Sequence, residues 1–370
     1  MGVMNKPLFD LDQVGMNAEL NSYKPGNGLA WSVLFPLKFT PKFDLKGIEG
    51  DEGIPVAAER VAFNVKAPLK TRKTVGSWSG SLDKISVSRE KDELAINEYN
   101  DLKVIAAAND QDKSTAQYLV DMVYDDLAFV NSAMDYKVEI DALRIGSQGV
   151  KTYPAEIDGE NATADVINFN VPATNFAGAA TPWATSASAD GIADIIKQQK
   201  AIAKKGLKKP MVAIMEQAAF EALILQTKTL NRLASITAGG VVQATDVTLD
   251  KVNSYMVSKG YPKIYVLESY ATIQDKNGKE TTIKPWHEHV VTLAPTLQLG
   301  WTYYKPVPMV PNTEALQAYG QYYKTTVYSE LNPMLEVTMG EGYIQPALIN
   351  RRSLVFININ KTTWSNGAAE

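Results

Sequence analysis

From Ser114 to Ile145 the chain runs without a glycine or a proline, and no other stretch constrains the architecture as much. Tyr118, Leu119, Met122, Val123, Leu127, Val130, Met134, Val138 and Leu143 recur largely at spacings of three and four, the period of one helical face. Ser114 can cap the start, and Gly146 follows the end. About 30 residues at 1.5 Å rise make a rod roughly 45 Å long. Asp121, Asp125, Asp126, Asp135, Glu139 and Asp141 fall on the remaining face, read here as a solvated acidic surface.

Around this rod the composition is ordinary. The chain has 370 residues, 45% hydrophobic and 21% charged, enough apolar surface for a sizeable core and a length that suggests about two domains. A net charge of −4 gives little drive toward nucleic acid or an anionic membrane. There is no cysteine, which excludes disulfides, thiolate catalysis and cysteine–zinc sites. The N-terminal residues contain no apolar signal core, and no apolar run approaches the ~20 residues of a membrane span. The Asn161-Ala162-Thr163 sequon is read as chance. The expectation is a soluble protein folded in a cytoplasm.

Residues 1–30 are polar and end in the turn cluster KPGNG (Lys24 to Gly28), which reads as an arm poorly ordered unless a partner holds it. Pro36 and Pro41 confine any strand between them to a sheet edge. Residues 54–90 alternate like a long two-stranded excursion, with Gly76 and Gly80 near one end. Such a hairpin is too thin to be stable alone and needs a surface to lie on. After the rod comes a compact α/β segment. Residues 188–206 form an amphipathic helix with Ser188 or Asp190 at its start and Lys204, Lys205 and Gly206 at its end. MVAIM (211–215) is a continuous apolar run of the kind found in a buried central strand, and EQAAFEALILQ returns to helical spacing. A capped helix ends at Gly260. KIYVLESYATIQ and TTIKPWHEHVVTLAP form a hairpin about Asn277-Gly278. The last third is strand-rich, LVFINI (354–359) above all.

Both histidines sit in Trp286-His287-Glu288-His289. On the returning strand His287 and His289 would share one face and Glu288 the other. Two imidazoles lack the third ligand a metal site needs, and the four-residue spacing of a helical zinc site is absent, so they read as paired polar strand residues. No GxGxxG and no phosphate-loop glycine pattern occurs. Gly76-Ser77-Trp78-Ser79-Gly80 puts Trp78 where a nucleophile elbow needs serine, and no helix follows. Asp121, Asp125 and Asp126 are not in an evident cleft that would shift their pKa values. No catalytic residue, cofactor site or metal site is assigned, and the chain reads as a non-enzyme.

The order of parts carries a resemblance that no single motif does. A polar arm, a two-stranded excursion, one very long helix, a compact α/β unit and a strand-rich close together resemble the major capsid proteins of tailed bacteriophages, the Hong Kong 97-type fold, and the lambda-type major capsid family in particular. Residues 35–80 resemble that family's N-terminal strand and extended loop, 114–145 its spine helix, and KKPMVAIMEQAAFEALI (208–224) the central strand and helix of its axial domain. TLAPTLQLGWTYYKPVPMV and LEVTMGEGYIQPALINRRSLVFINI resemble its final strands. The fold class implied is α+β, divided as follows: an arm at 1–30; strands and loop at 31–100; a peripheral domain with the spine helix at 101–155; a mainly axial domain at 156–330; closing strands and tail at 331–370.

The resemblance implies a structural major capsid protein that self-assembles into an icosahedral shell around double-stranded DNA. Its implied partners are itself, as hexamers and pentamers, portal and scaffolding proteins, a decoration protein, and DNA held by non-specific contact. Only some 30 polar residues precede the fold, so the scaffold is expected to be a separate protein. Its implied place is the virion, assembled in the host cytoplasm. Lys66, Lys70 and Lys73 match no cross-linking motif, and none is assigned that chemistry. An encapsulin-like nanocompartment on the same fold, and an unrelated α+β enzyme or binding protein, are the alternatives. Physics adds one expectation. A hairpin that cannot bury its own face buries it on a neighbour. Lys66, Lys70, Arg72 and Lys73 of the loop are then expected to cross Asp121, Asp125, Asp126 and Glu139 on the helix of the next subunit.

Overall fold

The computed structural model describes residues 5–48, 77–108, 113–152, 166–234, 247–275 and 277–365. The N-terminal segment carries α1 (Gln13–Ser22) and a short α2 (Trp31–Leu34). It leads through β1 (Leu37–Phe39) and β2 (Asp44–Ile48) to β3 (Ser77–Ser81) and β4 (Asp83–Lys91). Next come α3 (Glu93–Ala108) and the long helix α4 (Lys113–Gln148). The helix passes Gly146 and stops at Gly149, whose φ of +74 is the left-handed turn that ends helices. Gly146 has a packing role instead, because a Cβ there would lie 3.0 Å from the Trp286 ring and 3.2 Å from Leu299.

The second unit begins with β5 (Val150–Lys151), β6 (Ile167–Asn168) and β7 (Phe176–Gly178). Helix α5 (Gly191–Lys204) starts where the Asp190 side chain caps Ala193 and ends before Gly206, as its sequence implies. It is followed by β8 (Val212–Glu216), α6 (Gln217–Ile224), α7 (Thr227–Ala234), α8 (Leu249–Ser258) and β9 (Lys263–Leu267). The hairpin β10 (Ala271–Gln274) and β11 (Glu280–Ile283) turns at Gly278, φ +80. The chain closes with β12 (Val290–Ala294), β13 (Gly300–Lys305), β14 (Leu316–Tyr319), β15 (Lys324–Leu331), β16 (Met334–Leu348) and β17 (Val355–Asn358).

Two sheets organise these elements. The first has six strands in the order β1-β13-β16-β15-β14, with β4 on the other side of β16. Its β1 is an edge strand, as Pro36 and Pro41 require. The second runs β7-β17-β12-β8-β9. Strand β8 lies inside it with all five residues buried, the burial its apolar run calls for. Helix α4 joins the two. Its middle lies on β16, where a Cβ on Gly340 would come within 2.5 Å of Val130 Cγ1. Its end lies on β12, where Thr292 Oγ1 donates to the Gly146 carbonyl at 2.8 Å.

The edge of the second sheet is partly closed from within. Asn253 of α8 lies beside β9, donating to the Ile264 carbonyl at 2.9 Å and accepting from its N–H at 2.7 Å. Its carboxamide thus stands in for a neighbouring strand at one residue. Asn253→Ala leaves both backbone groups buried without partners and should cost about 2 kcal/mol, read as a fall in the urea unfolding midpoint at unchanged slope.

Two expectations change here. The N-terminal segment does not await a partner: Phe9, Leu11, Met16 and Leu20 are buried in the same core as Leu127 and Val130 of α4, and Asn5 bridges to Ser329. Of the two-stranded excursion read over residues 54–90, residues 54–76 lie outside the described residues, and its last part is not a free-standing hairpin arm. Strand β4 belongs to the six-stranded sheet, in register from Lys91↔Glu336 to Asp83↔Ile344, while β2 and β3 pair at its base.

Candidate functional site

The acidic residues of α4 do not form one solvated face. Asp121 and Asp125 are exposed. Asp126, Asp135, Glu139 and Asp141 are buried, at 3%, 1%, 0% and 7% exposure. Each buried carboxylate has partners that explain its position, because a charge removed from water must be paired or hydrogen-bonded.

Two of them hold the N-terminal segment. Asp135 Oδ2 accepts from the Gly26 N–H at 2.6 Å and from Tyr23 OH at 2.9 Å, and Oδ1 accepts from Tyr322 OH. One turn on, Glu139 accepts from the Trp31 N–H at 2.7 Å, the Ala30 N–H at 3.3 Å and Ser269 Oγ at 2.8 Å. Asp135 and Glu139 are four apart, so they share a helix face and receive the segment as it runs alongside. The KPGNG turn makes this possible. Gly26 has φ +65 and a Cβ there would strike the Trp31 ring at 2.8 Å. On β16, Glu336 adds a third clamp through the Leu8 and Phe9 N–H groups, at 2.6 and 2.9 Å. Burial raises all three carboxyls above their ordinary values, and the hydrogen bonds they accept only partly reverse it.

The other two buried acids face cations, Asp126 those of β4 and Asp141 the Lys151 of β5 and the Lys137 of its own helix. Asp126 lies 3.1 Å from Lys91 Nζ and 3.4 Å from Arg89 Nε. Lys151, 3% exposed, lies 2.6 Å from Asp83 and 3.0 Å from Asp141. Burial alone would raise the Asp141 carboxyl, but Lys137 and Lys151 outweigh it and hold it below the ordinary value. Burial likewise opposes the charge on Lys151, and Asp141 and Asp83 overcome that and raise it.

The loop cations expected to meet these acids, Lys66, Lys70, Arg72 and Lys73, lie outside the described residues. Of their expected partners, Asp126 and Glu139 are turned inward and engaged within the chain. Asp121 and Asp125 remain on the surface, where Asp125 also meets Arg89 at 3.1 Å. Spacing could have flagged Asp141, which falls three, seven and eleven positions after Val138, Met134 and Val130 and so shares their face. Asp126, Asp135 and Glu139 each stand one position from a core residue, about 100° around the helix, which does not by itself place them on its face.

The histidines occupy a turn, not a strand. Pro285 follows the end of β11, and residues 286–289 bend toward β12 across the end of α4. The His289 N–H donates to His287 Nδ1 at 3.2 Å, the His287 N–H donates to Ser147 Oγ at 3.2 Å, and His289 Nε2 lies 3.3 Å from Glu288. Among the described residues no group of three or more His, Asp or Glu is placed to hold a metal ion, and no helix is long and apolar enough to cross a membrane. What the buried carboxylates do is hold backbone segments together through the N–H groups they accept from.

Comparison with known proteins points the same way. A family model described as phage major capsid protein E matches residues 58–347. No curated protein matches the chain. Among solved structures, a phage-related protein from Bordetella bronchiseptica RB50 is similar over 100% of both chains at 14% identity, TM-score 0.51. A protein assigned as the capsid protein of a prophage of Escherichia coli CFT073 is similar over 94% of this chain and 99% of its own, at 15% identity and TM-score 0.56.

Proposed function

The chain belongs to the phage major capsid protein E family, and from that premise we propose how its copies meet. It is a structural protein of the capsid shell, a component of the virion, with the α+β Hong Kong 97-type fold. The observation that carries this role is a family match reaching from residue 58 to residue 347. Electron micrographs of the expressed chain should show closed shells or shell-like sheets, and a strictly monomeric product would sink the reading.

In our reading the loop between β2 and β3 reaches a neighbouring subunit, and Lys66, Lys70, Arg72 and Lys73 meet Asp121 and Asp125 on that subunit's α4. The support is electrostatic: these two carboxylates are the acids of the proposed contact set left exposed. Exposed ion pairs contribute ~0–1 kcal/mol each, so they set register more than strength. Reversing charge with Arg72→Glu and Lys73→Glu should cut the yield of closed shells about tenfold, since each small penalty recurs at every such contact. The unfolding midpoint of the free subunit should not move. Normal shells from the double variant would discard the pairing. The same reading has the subunit form hexamers and pentamers, meet portal and scaffolding proteins and a decoration protein, and touch packaged DNA without sequence preference. Assembly takes place in the host cytoplasm.

A further inference from the structure

A net charge of −4 conceals one strongly basic patch. Lys197, Lys200, Lys204, Lys205, Lys208 and Lys209 fall within 13 residues, and no Asp or Glu occurs from Ile195 to Met215. All six lysines are exposed. Helix α5 buries Ile192, Ile195, Gln199 and Ile202, so Lys197, Lys200 and Lys204, at spacings of three and four, share the face turned to solvent. Gly206, φ +70, turns the chain back. Gln199 Nε2 donates to the Pro210 carbonyl at 2.8 Å, which holds the Lys208-Lys209 segment beside the helix. The acids nearest along the chain are already engaged. Asp190 pairs with Arg232 at 2.6 Å, Asp194 accepts from Trp183 Nε1 at 3.1 Å, and Glu216 pairs with Lys284 at 2.8 Å. Lys205 donates to Asn175 Oδ1 and Lys209 to the Gly260 carbonyl. Among the described residues, Lys197, Lys200, Lys204 and Lys208 make no ion pair and no side-chain hydrogen bond.

We propose that this face binds the phosphate backbone of double-stranded DNA without reading its sequence. Favourable interaction with the helix dipole accounts for cations in the last turn of α5, but not for Lys197, Lys200 and Lys208 outside it. From Lys197 to Lys204 the helix rises ~10 Å and presents three ammonium groups. A duplex carries about six phosphate charges over that length, so each ammonium has a phosphate to meet. The residue types agree. Residues 195–209 hold no arginine and no aromatic ring, the side chains that grip base edges or stack on unpaired bases. Lysine meets phosphate as a point charge. The inference rests on the shell reading and gives its DNA contact a place on the subunit.

The test titrates dilute full-length subunits with a mixed-sequence DNA duplex, read by fluorescence anisotropy between about 50 and 200 mM salt. The logarithm of the binding constant should fall against that of salt with a slope of about −3.6, the value for four phosphates neutralised. Lys197→Gln, Lys200→Gln and Lys204→Gln together should remove about 2.7 of that slope and weaken binding more than tenfold. The unfolding midpoint should not move. Arginine at the same three positions should keep the slope. Lys208→Gln, outside the helix, should by itself remove about 0.9, and it decides the matter if the triple variant proves less stable. No binding by the unsubstituted chain, or an unchanged slope in the glutamine variants, overturns the proposal. So does equally tight binding of polyglutamate of matched charge, which would assign the face to acidic protein segments. Each of these results leaves the shell role standing, whereas failure of the unsubstituted chain to assemble would sink that role.

Discussion

Glu139→Ala should release the N-terminal segment from its own subunit and lower stability by about 3 kcal/mol. The Trp31 and Ala30 N–H groups and the Ser269 hydroxyl all converge on this one carboxylate. Each buried donor left without an acceptor costs about 1–3 kcal/mol, and the hydroxyl can turn elsewhere. Burial has already raised the Glu139 carboxyl, so removing the charge returns part of the loss, which keeps the estimate near the lower end. Glu139→Gln should fall between, because it keeps one acceptor but sets an NH2 against a donor. Urea unfolding of free subunits measures the energy, and limited proteolysis within residues 5–35 measures the release. A variant with the wild-type midpoint and cleavage pattern would refute the clamp. The sign of the pH effect differs from that of a salt bridge. A carboxyl raised by folding disfavours the native state when ionised, so protonating Asp135, Glu139 and Glu336 toward pH 5 should not loosen the segment.

Lys151→Met should be the more damaging change, by about 3–5 kcal/mol, the usual result of removing one partner from a buried ion pair. Asp83 and Asp141 would then face each other without the Lys151 ammonium between them, with Lys137 still beside Asp141. Lys151→Met combined with Asp141→Leu should recover much of the loss, since a buried ion pair is seldom more stabilising than apolar residues of similar volume. The pH dependence follows from the two shifts. Asp141 is depressed in the folded chain, so its contribution is present above its ordinary value of 3.8 and is lost as pH falls through the depressed one. Lys151 is raised, so its contribution is complete below 10.5 and is lost as pH rises through the folded value. The deficit of the variant should be largest between about pH 5 and 9. It should shrink in acid, where protonation relieves the Asp141 carboxylate. A deficit independent of pH would show that packing, not charge, holds this site.

Much of the fold was legible residue by residue. The period of α4, the Asp190 cap and Gly206 stop of α5, the apolar run of β8, the Gly278 turn and the edge position of β1 all depend on local backbone preferences, which a sequence carries with it. The histidine pair was placed on a strand because alternation continues through it. Pro285 was the sign that the ladder stops there.

The acidic residues of α4 mark the boundary between the two kinds of information. A periodic pattern states which face is apolar, but it does not state what will lie over the polar one. Asp135 and Glu139 became buried because a segment more than 100 positions away in the chain brings its own N–H groups to them. A hydrogen bond from backbone leaves no mark on residue type. The sequence alone determined the elements, their order and the absence of cysteine chemistry. Which carboxylates became internal clamps only the tertiary structure decided, because that depends on where non-local backbone comes to rest.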